Sequence, residues 1–297
     1  MLDKYYFGKV DRISPEAPVP IVNIQKEESR LGGASNVANN IVSLGGHSLL
    51  CGVIGHDLFG KEIERISRHK NIDTFLLKTS SPTITKARII GGKQQIVRVD
   101  YEDKSELNAD NKKLFRDTIS RILPEYDILV ISDYGKGLIS EDLCRYLIKL
   151  AHKYDKKVII DPKGKNWEKY SGADIVTPNV KELSDIVGYT VPNTDRAIEK
   201  AAREAITNNH LTALLVTRSD KGMSLIGPIP PIHIPTHSEE VFDVSGAGDT
   251  VVATLGLCLA AGFEISKAMR TANIAAGIVV KKVGTATLTI EELVQQK

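Results

Sequence analysis

The sequence predicts an α/β fold in which helices flank a doubly wound, mostly parallel β-sheet. Short runs of β-branched residues bounded by polar turns alternate with longer segments whose apolar residues recur at i, i+3 and i+4. This alternation is typical of a parallel sheet covered by its crossover helices, and we expect residues 1–297 to form one domain. The predicted strands span residues 48–53, 128–132, 157–160, 175–177 and 214–217, and the predicted helices span residues 111–123, 141–154, 194–208 and 266–281.

Two segments interrupt this alternation, residues 7–30 and residues 83–101. In both, apolar and polar residues alternate, which is typical of half-exposed antiparallel strands. Prolines at positions 15, 18 and 20 favour an edge or a turn over a central strand. We expect the two segments to form one small antiparallel sheet over the carboxyl ends of the parallel strands, as a lid or a dimer contact.

Composition and charge exclude several classes of partner. The 297 residues include 39 basic and 37 acidic side chains, so a formal net charge of +2 provides no broad field for nucleic acid or an anionic membrane. No secretory signal is visible, and the longest apolar run, residues 251–263, is too short to span a bilayer. Three widely spaced cysteines indicate neither a disulfide framework nor a zinc site. We expect a cytoplasmic protein that binds any anion locally.

The strongest chemical signal is the segment Asp-Val-Ser-Gly-Ala-Gly-Asp-Thr at residues 243–250, which precedes an apolar, helix-compatible run. Glycine lets the backbone approach an anion closely, and the amides of Gly246, Ala247, Gly248 and Asp249 would point at that anion from a helix N-terminus. A carboxylate repels phosphate, so we interpret Asp249 as the proton acceptor for an attacking hydroxyl. The alternative is that Asp249 only caps the helix.

Two more polar clusters accompany predicted elements. Gly32, Gly33 and Asn36 precede a helical run, where they either hold a hydroxyl-bearing ligand or form a tight turn with a polar cap. Asn179 and Glu182 follow the predicted strand at residues 175–177, at the carboxyl end where ligands of open α/β sheets bind. Their oxygens suit Mg²⁺ bound through water, and the same pair also fits a capping box.

Together these three motifs resemble those of the ribokinase-like (PfkB) carbohydrate kinases, and the resemblance spans the whole chain. Three further segments resemble more narrowly the kinase domain of the D-glycero-D-manno-heptose 7-phosphate kinases. They are residues 7–20, residues 132–137 (Ser-Asp-Tyr-Gly-Lys-Gly) and residues 161–164 (Asp-Pro-Lys-Gly). The resemblance implies transfer of the γ-phosphoryl group of ATP to the anomeric O1 of a heptose 7-phosphate, a step of bacterial lipopolysaccharide core synthesis.

The resemblance also implies a role for individual residues. Asp249 matches the general base and residues 246–248 match the anion hole, while Asn179 and Glu182 match the motif that holds Mg²⁺ through water. ATP and Mg²⁺ are the implied cofactors, a monovalent cation is a further possibility, and the implied assembly is a homodimer joined by the lid. The implied ligand contacts are Thr217, Gly222 and Asn273 for the nucleotide, Asp3, Gly32, Gly33 and Asn36 for the sugar hydroxyls, and Lys86, Arg88, Lys136 and Lys163 as the basic residues available to the sugar phosphate.

Two departures from the family pattern limit these expectations. The family opens with a strand ahead of the Leu-Asp matched by Leu2 and Asp3, and this sequence begins at Met1 without it. Absence of a central strand would expose hydrogen-bonding groups on its neighbours. Some relatives also carry a nucleotidyltransferase domain after the kinase, and only the kinase reaction is expected here. The alternatives are a family kinase for another sugar, sugar phosphate or nucleoside, and an inactive nucleotide-binding relative.

Overall fold

The structure is a computed structural model that describes residues 1–92, 94–237 and 241–295. Each parallel strand and helix predicted from the alternation is present, with bounds that differ by at most two residues. The predicted α/β class is confirmed. In chain order the strands are β1 (Leu2–Ile13), β2 (Pro20–Leu31), β3 (Leu49–Gly55), β4 (Asp73–Thr79), β5 (Thr85–Gly91), β6 (Gln94–Tyr101), β7 (Ile128–Ser132), β8 (Lys157–Asp161), β9 (Ile175–Val176), β10 (Leu214–Thr217), β11 (Met223–Ile226) and β12 (Ile232–Ile234).

The helices cover both faces of the central sheet. Their apolar stripes bury against the strands, and helix caps such as the Asp57 side chain, which accepts from the Gly60 amide, fix where helices begin. In the part of the chain that the structure describes, no helix has the length and apolarity needed to cross a membrane. The α-helices are α1 (Ala34–Ser43), α2 (Leu58–His69), α3 (Ala109–Ile122), α4 (Glu141–Lys153), α5 (Val180–Val187), α6 (Asp195–Asn209), α7 (Ala247–Ala260), α8 (Ile265–Val279) and α9 (Ile290–Val294).

The central six-stranded sheet has the order β12-β11-β10-β9-β8-β7. Strands β7 to β10 run parallel, and β11 and β12 add an antiparallel edge. One face packs on α7 and α8 through residues such as Ile159, Leu215 and Leu255, which are all fully buried. Because β7 to β10 are parallel, their carboxyl ends meet at one edge of the sheet, where loops carry the polar residues.

The predicted lid segments form a four-stranded sheet with the order β2-β1-β5-β6. Two hairpins, β1–β2 and β5–β6, are antiparallel as predicted, but the central pair β1–β5 is parallel, with Leu2 opposite Thr85. The predicted small antiparallel sheet is therefore present, and its two hairpins are joined by one parallel pair. Each hairpin leaves the core through its first strand, so these two strands run side by side in the same direction.

A cleft divides the parallel strands into two groups. Strand β3 pairs with β4 and strand β7 pairs with β8, and neither pairs on its other edge within residues 1–92, 94–237 and 241–295. Between these two free edges lies a mostly apolar cavity of about 880 Å³, bordered by α1 and α3. Voids larger than a water molecule are rare in a protein core, so this cleft is no ordinary packing defect.

Candidate active site

The loop before α7 places an amide-lined turn at the carboxyl edge of the central sheet. Gly246 has a left-handed backbone (φ 79°), which glycine adopts without strain, and α7 begins at the next residue. The Ala247 amide donates to the Val244 carbonyl at 3.2 Å, so this donor of the predicted anion hole is already engaged. The amides of Gly248 and Asp249 have no hydrogen-bond acceptor among the described residues, as expected for the first turn of a helix.

Asp249 is buried at this turn, with 5% of its surface exposed. Its Oδ2 accepts a hydrogen bond from Asn36 Nδ2 at 2.8 Å, and its Oδ1 accepts one from the Tyr134 hydroxyl at 3.2 Å. The side chain does not cap α7, whose N-cap is Gly246 and has no side-chain cap hydrogen bond. Burial raises the pKa of Asp249 to about 6, against the two hydrogen bonds, which lower it. Such a carboxylate is able to accept a proton near neutral pH.

Buried hydrogen bonds that involve Asn36, Asn40 and Thr250 hold Asp249 between α1 and α7. Asn40 Nδ2 donates to the Asn36 carbonyl at 3.0 Å and lies 3.4 Å from Asn36 Oδ1. Thr250 Oγ1 in turn donates to Asn40 Oδ1 at 3.2 Å. Because Asn40 presents its amino group to Asn36 Oδ1, the amino group of Asn36 is left to face Asp249. The position of the Asp249 carboxylate is therefore fixed by side chains on both α1 and α7.

A polar cavity of about 200 Å³ opens beside Asp249 at the carboxyl ends of β7 to β10. It brings together most residues predicted around a phosphate: Asn179, Glu182, Thr217, Gly246, Gly248 and Asp249, and also Lys163. A side chain at Gly248 would meet no atom within 4 Å, so the turn leaves open space above the helix start. An anion fits this position because the first-turn amides and the helix dipole both point towards it.

Asn179 and Glu182 form a capping box at the start of α5. The Asn179 side chain accepts from the Glu182 amide at 2.9 Å, and Glu182 Oε2 accepts from the Asn179 amide at 3.1 Å. Glu182 Oε1 also accepts from Lys163 Nζ at 3.0 Å. Asp161 lies in the same cavity at the end of β8, and burial, reinforced by neighbouring carboxylates, raises its pKa well above the ordinary value.

This donor set fits Mg²⁺ bound through water. It supplies hard oxygen ligands from the Asn179 amide and the Glu182 carboxylate, and the Asp161 carboxyl lies in the same cavity. Among the described residues, no group of three or more His, Cys, Asp or Glu side chains could hold a metal directly. Binding through water and ligand phosphate is the mode that the residues present allow.

Of the predicted sugar-binding residues, Asp3 lies near the start of β1, Gly32 and Gly33 follow β2, and Asn36 lies in the first turn of α1. Asp3 is buried and accepts from Arg88 Nη1 at 2.5 Å, and a side chain at Gly32 would collide with its carboxylate. Gly33 has φ 58°, and a side chain there would lie 2.9 Å from the Tyr134 ring. Lys86 lies 5.5 Å from the centre of the same ring. Asp3 and Lys86 interact electrostatically with Asp249, and Asp3, Gly32, Gly33, Lys86 and Arg88 do not line the polar cavity.

Three predicted contacts lie elsewhere. Lys136 forms an ion pair with Glu102 at the end of the lid. Gly222 packs against the backbone at Ile234 and Pro235, and Asn273 Nδ2 donates to the Pro235 carbonyl at 2.6 Å. The structure thus brings Gly222 and Asn273 together around the segment that follows β12, and neither lines the cavity beside Asp249.

Sequence reasoning did not assign Tyr134, Asn40 or Asp161. Asp161 follows a predicted strand, so the rule that selected Asn179 could also have selected it. Tyr134 also follows a predicted strand, but nothing in its local sequence shows that its hydroxyl faces Asp249, 115 residues away. Asn40 sits within a helix, where its position gives no sign of the two partners that tertiary packing supplies.

The parallel sheet, the lid sheet and the buried acid at the start of α7 together define a ribokinase-like α/β protein. The sequence pattern of the pfkB family carbohydrate kinases matches residues 5–292, and the chain belongs to that family. The chain is 45% identical over 295 residues to the bifunctional protein HldE of Haemophilus influenzae strain PittEE, covering 99% of this chain and 61% of that protein. It is 42% identical over 299 residues to the protein of the same name from Geobacter sulfurreducens, covering 99% of this chain and 60% of that protein. The chain thus spans about three fifths of these relatives' length.

Solved structures agree with the fold. Phosphofructokinase-2 from Escherichia coli in complex with potassium superposes with a TM-score of 0.82 at 21% identity, covering 99% of this chain and 94% of that one. Ribokinase from Arabidopsis thaliana, complexed with ribose and ATP, superposes with a TM-score of 0.77 at 19% identity, covering 99% and 95%. At these identities the likeness shows the fold alone.

Proposed function

We propose that this chain transfers the γ-phosphoryl group of ATP to the anomeric O1 of D-glycero-D-manno-heptose 7-phosphate, giving the 1,7-bisphosphate. One observation carries the proposal: Asp249 is a buried carboxylate with a pKa near 6 at an amide-lined helix start, beside a cavity with the oxygen ligands of Asn179 and Glu182. The choice of sugar rests on the segments at residues 7–20, 132–137 and 161–164 that resemble the heptose 7-phosphate kinases. A reaction that consumes ATP and a sugar phosphate belongs in the cytoplasm.

In the proposed reaction Asp249 takes the proton from O1 as that oxygen attacks the γ-phosphorus. The new O1–P bond forms, the bond from the γ-phosphorus to the bridging oxygen breaks, and ADP leaves with that electron pair. The open amides of Gly248 and Asp249 would donate to the oxygens of the group in transit. Each such donor contributes about 2.7–4 kcal/mol by analogy with oxyanion holes.

Asn179 and Glu182 would hold Mg²⁺ through water at the carboxyl edge of the sheet. When bound, the ion would neutralise charge on the ATP phosphates. Lys163, now paired with Glu182, adds a positive charge at the same place. Thr217, Gly222 and Asn273 remain the proposed nucleotide contacts. Thr217 is the one that lines the cavity.

The sugar would enter from the lid side, where Asp3, Gly32, Gly33 and Asn36 are the proposed contacts to its hydroxyls. Arg88, Lys136 and Lys163 all form ion pairs with carboxylates, so each would have to exchange its partner to bind the sugar phosphate. Lys86 forms no ion pair with the described residues, and burial lowers its pKa. An arriving phosphate would stabilise its charge, so we propose Lys86 as the first cation that the sugar phosphate meets.

We also propose that two copies associate through the lid. Val97 and Val99 lie two residues apart on β6, on one face of the lid, and are 44% and 40% exposed. Val10 on β1 is 41% exposed, so apolar surface extends beyond one strand. Sedimentation of the chain and of Val97→Lys tests this: we expect a dimer that the lysine converts to a monomer, and a monomeric parent chain would contradict it.

A sugar panel tests the function. Turnover is measured as ADP release with MgATP and, in turn, heptose 7-phosphate, fructose 1-phosphate, ribose and adenosine, and phosphorus NMR locates the new phosphate. We expect the highest kcat/KM with heptose 7-phosphate and a product phosphorylated on O1. A higher kcat/KM with another acceptor would replace the proposed substrate, and no ADP release with any of them would indicate an inactive nucleotide-binding protein.

A further inference from the structure

Tyr134 lies in the loop after β7 and contacts the proposed base directly. Its hydroxyl is 3.2 Å from Asp249 Oδ1, while Asn36 Nδ2 donates to Oδ2 at 2.8 Å. We infer that Tyr134 is a positioning residue: its hydroxyl holds the second oxygen of the Asp249 carboxylate and keeps that carboxylate ionised in the pH range where it must accept a proton. The inference rests on the proposed function, because it assumes that Asp249 is the base.

The ring of Tyr134 is fixed on two sides. Gly33 lets the ring approach its backbone, since a side chain at Gly33 would lie 2.9 Å from Tyr134 Cε2. On the lid side, Lys86 Nζ lies 5.5 Å from the centre of the ring, within the range of a cation–π contact. Tyr134 also lines both the polar cavity beside Asp249 and the apolar cleft between β3 and β7. A ring held in this way presents its hydroxyl at one position.

Tyr134 acts as a donor over the whole range in which an enzyme works. Burial raises the pKa of its hydroxyl above the ordinary value, and the charge of Asp249 raises it further. The hydroxyl therefore stays protonated, and it donates to Asp249. A hydrogen bond to the ionised form favours that form, so Tyr134 lowers the pKa of Asp249 from the value that burial alone would set.

Other charged groups also face Asp249. Asp3 on β1 raises the pKa of Asp249 and Lys86 on β5 lowers it. The Met1 amine and the buried Asp161 carboxyl at the end of β8 also interact electrostatically with Asp249. Replacing Tyr134 by phenylalanine changes none of these charges and keeps the ring, so it removes only the hydrogen bond.

The test is the pH dependence of kcat/KM for Tyr134→Phe, with MgATP and heptose 7-phosphate as substrates. We expect the acid limb of the profile to move to higher pH by about one unit, the size expected for loss of one hydrogen bond to an ionised group. Tyr170→Phe is the matched control, since it removes a buried tyrosine hydroxyl that donates to Asp133 at 2.7 Å instead of to Asp249. Its acid limb should coincide with that of the parent chain.

Each outcome is decisive for one claim. An unmoved acid limb in Tyr134→Phe, with or without a uniform loss of kcat, overturns the inference, because a merely structural role gives that result. Wild-type turnover in Asp249→Asn would instead overturn the base assignment. If Tyr134→Phe fails to fold, as judged by ADP binding in calorimetry, a fluorotyrosine at position 134 decides: its hydroxyl is a stronger donor, so the limb should move to lower pH, and an unmoved limb again overturns the inference.

Discussion

The two edges of β7 have opposite surroundings. On one edge β7 pairs with β8, residue by residue, within a continuous six-stranded sheet. On the other edge lies the cleft of about 880 Å³, beyond which β3 and β4 form a separate pair. The polar cavity depends on the continuous edge, because its residues follow β7 to β10 or begin α7.

The comparison shows that a site can be held together without a continuous sheet. Helix α1, which borders the cleft, packs directly on α7, and its Asn36 and Asn40 side chains bond to Asp249 and Thr250 of α7. These buried side-chain hydrogen bonds, and the packing of α1 on α7, connect the proposed sugar side to the proposed nucleotide side. We therefore expect substitutions beside the continuous edge of β7 to change turnover, and substitutions beside the cleft to change mainly the stability of the fold.

The largest expected effect is the loss of turnover on replacing Asp249, which lies beside the continuous edge of the central sheet. Asp249→Asn keeps the shape of the side chain and removes the proton acceptor, so we expect turnover to fall by about 10²–10⁴-fold while ATP binding is retained. Steady-state ADP release and calorimetry with ATP measure the two quantities. In the parent chain kcat/KM should fall as the pH drops below about 6, where Asp249 becomes protonated. Turnover in Asp249→Asn close to that of the parent chain would show that Asp249 is not the general base.

The same substitution should make the stability of the fold less dependent on pH. The pKa of Asp249 is raised in the folded chain, from 3.8 to about 6, so the folded state favours the protonated form. Its stabilising contribution is present below the unfolded pKa and is lost as the pH rises through about 6. As the pH rises from about 4 to above 6, the free energy of unfolding of Asp249→Asn should therefore rise relative to that of the parent chain by on the order of 2–3 kcal/mol. Urea unfolding at two pH values measures it, and a pH-independent difference would contradict the shift.

A substitution at Gly248, in the same turn as Asp249, separates phosphate binding from folding. A side chain at Gly248 meets no atom within 4 Å, so Gly248→Ala should leave the melting temperature almost unchanged. Because the added methyl group would occupy the space proposed for the phosphate, we expect kcat/KM to fall by about 10²-fold. Thermal unfolding and ADP release are the two measurements. Unchanged kcat/KM would show that the phosphate binds elsewhere.

The smallest expected effect is on the free energy of unfolding, and it compares a residue beside the cleft with one beside the continuous sheet. Ala38 on α1 lines the cleft, whereas Ala253 on α7 is fully buried against the continuous sheet. Ala38→Leu should raise the free energy of unfolding by about 0.5–2 kcal/mol because it fills empty space. Ala253→Leu should lower it by about 1–3 kcal/mol because it overpacks a core. Both substitutions lie within helices, so helix propensity cancels. Equal effects in urea unfolding would show that the cleft is not open in solution.

Local pattern predicted much of this architecture. The apolar runs at 128–132 and 214–217 coincide with β7 and β10, because a strand buried on both faces needs an unbroken apolar stretch. The parallel pairing of β1 with β5 was not predicted. Alternation reports which faces of a strand are buried, and it does not report the direction of the neighbouring strand.

The site divides in the same way. The residues of the 243–250 segment were identified from the sequence, because a glycine-rich turn before a helix fixes the positions of its amides through local backbone geometry alone. Tyr134 and Asn40 reach that turn only through the packing of separate elements. Gly222 and Asn273 meet around Pro235 for the same reason.

The sequence by itself determined the alternation of the predicted core strands with their helices, the glycine turn and the acid within it, since each depends on neighbours a few residues away. Only the tertiary structure decided which donors hold that acid, how far burial raises its pKa, and where the parallel strands separate. Those properties depend on contacts between residues far apart in the chain, and no local pattern contains them.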